Sequence, residues 1–370
     1  MLKQPFTPPP LPPAINLTPH IKLIADAREA LARYDEAVKR LPNPMIVRRA
    51  FETKEAVLSS RIEGTQATLE EVLELDVDDT QEESNEKQQD YREIVNYRYA
   101  ISYGKGLLES RPLTESVIKE LHAILLNSVR GKDEAPGEFR KRQVHIGPPG
   151  ATLEEPSYIP PEHYKIAGLF SDLVRYMQDD SQPDRLVQVA IAHYQFEAIH
   201  PFADGNGRVG RLIIPMYLYE KGITSYPNLY ISEFLEIHRR DYYEALNRVS
   251  EYGDWNTWVE FFLRAIREQA KLAKRRVDAI DRLYQGIHET LHQFHSIYAP
   301  SFLDAICSTP VFTPASIAKH VGIKHSQSAY TLIGKFVEKG IVSDMTPGRR
   351  RNKLYAFKQL LNIIDTNGDM

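Results

Sequence analysis

From His20 to Phe294 the apolar residues recur at the spacing of one helix face in segment after segment, which leaves this chain of 370 residues few options besides a mainly α fold. The periodic stretches cover 20–40, 45–62, 87–109, 114–126, 161–178, 183–199, 207–221, 238–252 and 254 to about 294. Short connections between such helices imply a bundle. One stretch, 137–161, breaks the pattern. Gln143-Val144-His145-Ile146 is followed by Gly147-Pro148-Pro149-Gly150 and then Tyr158-Ile159-Pro160-Pro161, which reads as a β-hairpin with a long loop. Nine acidic residues between Glu70 and Glu86 predict a solvated linker, and the prolines from Pro5 to Pro13 predict an extended run along the surface.

Composition narrows the function classes. With 42% hydrophobic and 26% charged residues the chain can bury a large core and divide into two or three domains. A net charge of -4 gives no global basic field, so nucleic-acid contact would need a local patch. The single cysteine, Cys307, is expected to be a buried structural thiol. Prolines stand where a signal peptide needs an apolar helix, and no apolar run approaches the ~18 residues of a membrane span, so a cytoplasmic protein with no membrane contact is expected.

The residues that carry chemistry sit at the junction of two periodic segments, in His200-Pro201-Phe202-Ala203-Asp204-Gly205-Asn206-Gly207-Arg208-Val209-Gly210-Arg211. Gly205 and Gly207 let the backbone turn tightly with its amides exposed, and the following helix points its positive dipole end at the same place, so an anion is favoured there. Arg208 and Arg211, three apart on the first turn, share a face from which two guanidinium groups can hold phosphate oxygens. Asp204 would repel those phosphates unless Mg²⁺ lay between them. His200, just before the cradle, is placed to take a proton from an attacking hydroxyl, and Phe202 is expected to pack inward.

The block resembles the signature of the Fic family of AMP transferases, His-x-Phe-x-(Asp or Glu)-Gly-Asn-Gly-Arg-x-x-Arg, with every fixed position met; the resemblance spans roughly 44–262. It implies a Fic-type helical bundle with a β-hairpin flap. It also implies that His200 deprotonates a Tyr, Thr or Ser hydroxyl of a target protein, which attacks the α-phosphate of ATP and expels pyrophosphate. Asp204 then matches the Mg²⁺ ligand, Gly205 to Gly207 the anion cradle, Asn206 an α-phosphate contact, and Arg208 and Arg211 the contacts to the outer phosphates. The flap would bring Ile146, Gly147, Pro148 and Pro149 near the nucleotide and offer an edge for a target strand. Tyr242, Tyr243 and Ser250 fall where family members contact adenine and ribose, although asparagine is common at the position of Ser250. Core packing is the alternative for the two tyrosines.

Upstream, Ser59-Ser60-Arg61-Ile62-Glu63-Gly64 places Ser59 and Glu63 four apart on one helix face. The run resembles the family's inhibitory pattern, (Ser or Thr)-x-x-x-Glu-(Gly or Asn), which implies that Glu63 pairs with Arg211 and blocks productive ATP binding. Formation of a homodimer or self-modification are routes to release. In some relatives the same glutamate positions water to remove AMP, so a de-AMPylating hydrolase is the alternative.

Beyond Tyr298 the texture changes. Thr313-Pro314 starts a short helix through His320, Gly322 makes a turn, Ser326 caps a helix reaching Lys339, and Gly340 ends it. Two short strands within 341–357 flank Thr346-Pro347-Gly348 and a turn bearing Arg349, Arg350, Arg351 and Lys353, so the whole resembles a winged helix that would contact DNA or protein. A nucleotide-sensing DNA-binding regulator is therefore the second function class. The expected organisation is a helical region over 1–110 with an inhibitory helix at about 45–64, a catalytic core over 111–295 with its flap at 137–161, and a winged helix-turn-helix domain over 298–370.

Overall fold

The structure, a computed structural model, describes residues 4–77, 85–127, 129, 134–147, 158–349 and 353–365. The helices in chain order are α1 (Ile21–Arg40), α2 (Met45–Ile62), α3 (Leu69–Leu75), α4 (Asn85–Leu108), α5 (Glu115–Leu125), α6 (Ile166–Met177), α7 (Arg185–Ile199), α8 (Asn206–Glu220), α9 (Ser232–Ile237), α10 (Arg239–Tyr252) and α11 (Trp255–His288). There follow α12 (Ala299–Ser308), β1 (Val311–Phe312), α13 (Pro314–Val321), α14 (Ser326–Glu338), β2 (Ser343–Asp344), β3 (Tyr355–Ala356) and α15 (Lys358–Asp365). The mainly α expectation holds. No helix among the described residues is long and apolar enough to cross a membrane.

One expectation changes. The acidic stretch expected to be a linker contains α3, because Thr68 and Glu71 form a reciprocal capping box and Leu69, Val72 and Leu73 give the short helix an apolar face to bury. The hairpin over 137–161 is represented among the described residues by a single bridge, Ile146 to Tyr158, with N–H···O distances of 2.8 and 3.0 Å; Pro148, Pro149 and the rest of 148–157 lie outside the described residues.

The chain forms two compact units. The first comprises Met1–Ala32, Leu58–Gly64 and Val95–Ala270, and its centre is α7, packed between α6 and α8. Asp184 starts α7 by accepting the N–H groups of Leu186 and Val187, a cap that contributes about 1 kcal/mol. From Leu186 to Phe196 every residue of α7 is buried, as expected for a helix apolar nearly all round. The prolines near the N-terminus run without regular structure against this unit, where Phe6 donates its N–H to Ile159 O at 2.9 Å.

The second unit comprises Arg33–Val57, Thr65–Ile94 and Lys271–Met370. Its sheet has the order β1-β3-β2, antiparallel throughout, with Val311 opposite Ala356 and Ser343 opposite the same residue on the other side. Phe294, Phe302, Phe312 and Phe336 form its aromatic core, and α3 packs against β1. Thr313 caps α13 with a second capping box and Gly322 ends it in the left-handed conformation. Ser326 is the first residue of α14, and the flanking position belongs to His325. Cys307 is buried, and burial pushes its thiol pKa up.

Candidate functional site

The turn between α7 and α8 is held from several sides. His200 ends α7 in the left-handed region (φ 48°, ψ 62°), and Gly205 begins α8 in the same region (φ 75°), where a side chain would be strained. Between them Asn206 clamps the loop, accepting Phe202 N–H through Oδ1 and donating from Nδ2 to Phe202 O, both at 2.8 Å. Its side chain thus serves the loop, and its backbone N–H is among the donors left without intrahelical partners at the start of α8. Phe202 is fully buried and stacks on His122, with ring centroids 3.7 Å apart.

His122 was missed by sequence reasoning, and it is a joint. Gly137 donates its N–H to Nδ1 at 2.8 Å, so Nε2 carries the proton and donates to Asp204 O at 3.0 Å. Burial pushes the pKa of His122 down to about 4, so the neutral form that this geometry needs persists at neutral pH. A similar joint supports α8 from below. His193 reaches Gly210 O at 3.2 Å and the Tyr242 hydroxyl at 3.0 Å, and burial pushes its pKa down to about 3. Gly210 leaves room for the Glu197 side chain of α7, whose carboxylate a β-carbon there would meet.

His200 itself is poised as a neutral imidazole. Burial, aided by the positive charge of Arg140, pushes its pKa down to about 4, and its Nδ1 is buried without a hydrogen-bond partner. Asp204 is 43% exposed; its Oδ1 accepts Gly205 N–H at 2.6 Å and lies 3.9 Å from Arg208 Nη2. One exposed carboxylate beside an anion cradle fits Mg²⁺, which keeps most of its shell as water and phosphate oxygens; no cluster of three His, Cys, Asp or Glu residues able to cage a metal occurs among the described residues.

Glu63 sits in the mouth of the cradle. Arg211, only 2% exposed, donates from Nη2 to Glu63 Oε1 at 2.6 Å and to Ser59 O at 2.9 Å, and from Nε to Ser59 Oγ at 2.8 Å. A β-carbon at Gly207 would collide with Glu63 Oε1, so the carboxylate occupies the space over the first turn of α8 that glycine leaves open. Burial raises the Glu63 pKa, but Arg211 outweighs it and holds the group below the usual carboxylate range. Gly64 follows with φ 107°, and Arg239 caps the end of α2 through Ile62 O at 2.6 Å. Glu197 lies near this pair with Oε1 buried and unpartnered; burial pushes its pKa up to about 8 against the pull of Arg211.

The remaining residues singled out by sequence are spread around this centre. Ile146 carries the bridge to Tyr158, and Gly147 follows it. Tyr242 is 2% exposed and packs among His193, Trp258 and Phe261, whereas Tyr243 is 40% exposed. Ser250 Oγ bonds the Tyr194 hydroxyl at 2.9 Å and Leu246 O at 3.3 Å.

A helical core in which one turn presents a histidine, a glycine-lined anion cradle and two arginines has the architecture of the Fic fold. The chain matches the model of the Fic/DOC family N-terminal region over residues 21–105 and that of the Fic/DOC family over 112–218. These matches together cover more than half of the sequence, and the chain belongs to the Fic/DOC family. It is 31% identical over 175 residues to Protein adenylyltransferase Fic of Drosophila ananassae and equally to that of Drosophila melanogaster, a match covering 46% of this chain and 32% of each relative. The match thus spans about a third of the length of these curated relatives. Among solved structures, a Fic family protein from Desulfovibrio desulfuricans G20 is similar over 96% of this chain and 98% of its own, with TM-score 0.58 and 22% identity. A fragment of Fic-1 from C. elegans covers 71% of this chain and 72% of its own, with TM-score 0.53 and 20% identity.

Proposed function

We propose that the chain transfers AMP from ATP to a Tyr, Thr or Ser hydroxyl of a protein, its own hydroxyls included, and that Glu63 restrains the reaction. The observation that carries this reading is the carboxylate of Glu63 bound to Arg211 over Gly207, because a cradle that holds a carboxylate so closely is built for an anion of similar size. The likeness to relatives named adenylyltransferase supports ATP as the source of that anion.

In this reading His200 accepts the proton of the target hydroxyl. The freed oxygen attacks the α-phosphorus, the bond from that phosphorus to the bridging oxygen breaks, and diphosphate leaves. A base positioned this way is typically worth ~10²- to 10⁴-fold in rate. Its low pKa keeps it unprotonated at neutral pH, and the negative charge of a bound nucleotide would raise its proton affinity. Asp204 would hold Mg²⁺, which neutralises phosphate charge when bound. The N–H groups opening α8 receive the phosphates and Arg208 steadies them. Arg211 exchanges Glu63 for the outer phosphate. Ile146 to Pro149 would cover the nucleotide and dock an extended target segment, while Tyr242, Tyr243 and Ser250 mark the side toward adenine and ribose. These functions divide the chain into the brake-bearing region over 1–110, the catalytic core over 111–295 and the C-terminal domain over 298–370.

The test is incubation with ATP labelled at the α-phosphate, comparing wild type, Glu63→Gly and His200→Ala for label bound to protein. Label should rise in Glu63→Gly and vanish in His200→Ala. Equal labelling of all three would refute the assigned base and the brake together.

A second reading concerns residues 298–365. Their elements, three helices (α12 to α14), a sheet of order β1-β3-β2 and the closing helix α15, support a winged helix, and they carry nine Lys and Arg against four Asp and Glu in a chain of net charge -4. That local excess favours contact with duplex DNA by a nucleotide-responsive regulator. Absence of retention on duplex DNA at low salt would dismiss it.

A further inference from the structure

Arg140 is 4% exposed and has no part in the cradle or the brake. It stands in Gly137-Glu138-Phe139-Arg140, at the start of the segment that leads to Ile146. Its guanidinium donates to three backbone carbonyls: from Nε to His200 O at 2.9 Å, from Nη1 to Arg142 O at 3.0 Å, and from Nη2 to Pro161 O at 2.5 Å. Its own N–H donates to Pro201 O at 2.9 Å. Arg142 and Pro161 lie on the two segments joined by the Ile146–Tyr158 bridge, and the second segment is tied to the same turn by Tyr158, whose hydroxyl donates to Ala198 O at 2.8 Å. One planar group therefore touches both sides of the flap base and the residue that carries the proposed base. A lysine has one donor centre and could not span these acceptors.

Every one of these partners is a carbonyl, so among the described residues no carboxylate pairs with the charge of Arg140. Burying a full positive charge this way is unfavourable for stability, and such arrangements concentrate at functional sites. Burial lowers the Arg140 pKa only to about 10, so it stays charged at neutral pH. The charged groups that face His200 are Arg140 from the flap base, which disfavours the imidazolium, and Glu63 from the end of α2, which favours it.

We propose that Arg140 is a positioning residue for the transfer reaction: its guanidinium fastens both segments of the flap to the turn bearing His200, so that flap and base move as one body. The reaction itself rests on the function proposed above, and the readouts are therefore chosen to separate the two.

Arg140→Met and Arg140→Lys are made in the Glu63→Gly background, with folding checked by circular dichroism. The ring signals of His200, assigned by their loss in His200→Ala, are followed by NMR against pH without nucleotide, along with exchange of the Ile146 and Tyr158 amides. Arg140→Met removes the charge and should raise the His200 midpoint by about one unit, the scale of a nearby like charge. It should also speed exchange of both amides. Arg140→Lys keeps the charge, so its midpoint should stay with the parent while kcat for AMP transfer falls ~10- to 100-fold and KM for ATP changes little. A folded Arg140→Met protein with an unmoved midpoint and unmoved exchange overturns the proposal, as does Arg140→Lys with the parent's kcat. If the parent transfers no AMP at all, the function proposed above fails, and the NMR and exchange readouts still decide whether Arg140 holds His200 and the flap.

Discussion

Arg211 and Arg140 are both almost wholly buried beside the same turn, at 2% and 4% exposure, yet they are satisfied in opposite ways. Arg211 binds a carboxylate that arrives from the end of α2, together with Ser59 of that helix. Arg140 binds carbonyls that belong to the framework itself. A carboxylate can be replaced by another anion without disturbing the backbone, whereas a carbonyl ladder has no substitute. The difference separates an exchangeable contact from a permanent one. A contact of the first kind should reveal itself through ligand dependence, and one of the second kind through stability and geometry.

The largest effect is expected from the exchangeable side. Labelling should increase in the order wild type, Glu63→Gln, Glu63→Gly, with a total gain of tens-fold if the coupling between Glu63 and ATP is ~1 to 3 kcal/mol. ATP should also raise the thermal midpoint more in Glu63→Gly than in wild type, since there it displaces nothing. Identical ATP-induced shifts would mean that Glu63 and the nucleotide do not compete for Arg211. Because Arg211 holds the Glu63 pKa below the usual carboxylate range, the contact is complete at neutral pH and is lost only as acidification passes through that depressed value.

An effect confined to acid pH is expected on the permanent side, where His122 joins Gly137 N–H to Asp204 O. Its pKa is about 4 in the folded protein and near 6.5 in an unfolded chain, so the unfolded state takes up the proton first as pH falls. The stability it contributes is intact above pH ~6.5 and declines toward pH 4, by about 3 kcal/mol over the window. His122→Gln keeps an acceptor and a donor without titrating. Urea unfolding at pH 7, 5.5 and 4.5 should give a shallower loss for the variant, and parallel losses would show that His122 is not held neutral.

Much of this contrast was legible in the sequence, and the reason is local geometry. Ser59 and Glu63 share a face because they are four apart on a helix, and Gly205 announces a turn because few other residues permit its left-handed backbone. α3 left a trace in the capping-box spacing of Thr68 and Glu71, although the acidic composition of the run that contains it reads as a solvated linker. His122 and Arg140 were not legible, since their partners lie 82 and 60 residues away and neither position has a periodicity that announces its role. The inward packing of Tyr242 was undecidable for a similar reason, as helical spacing gives α10 a face without saying what it meets. β1, two residues long, is too short to leave an alternating pattern, and it exists because β3 pairs with it.

The backbone of His200 has a last consequence. Only a minority of residues other than glycine adopt its left-handed conformation, and each that does so costs roughly 1 kcal/mol or more. Glycine would remove that strain along with an imidazole held neutral against its own tendency. His200→Gly should therefore melt at or above the wild-type temperature in calorimetry while transferring no AMP. On the function proposed above, a sequence one substitution away would retain the fold and forfeit the chemistry, so the strain at this position is a cost carried for activity and not for stability.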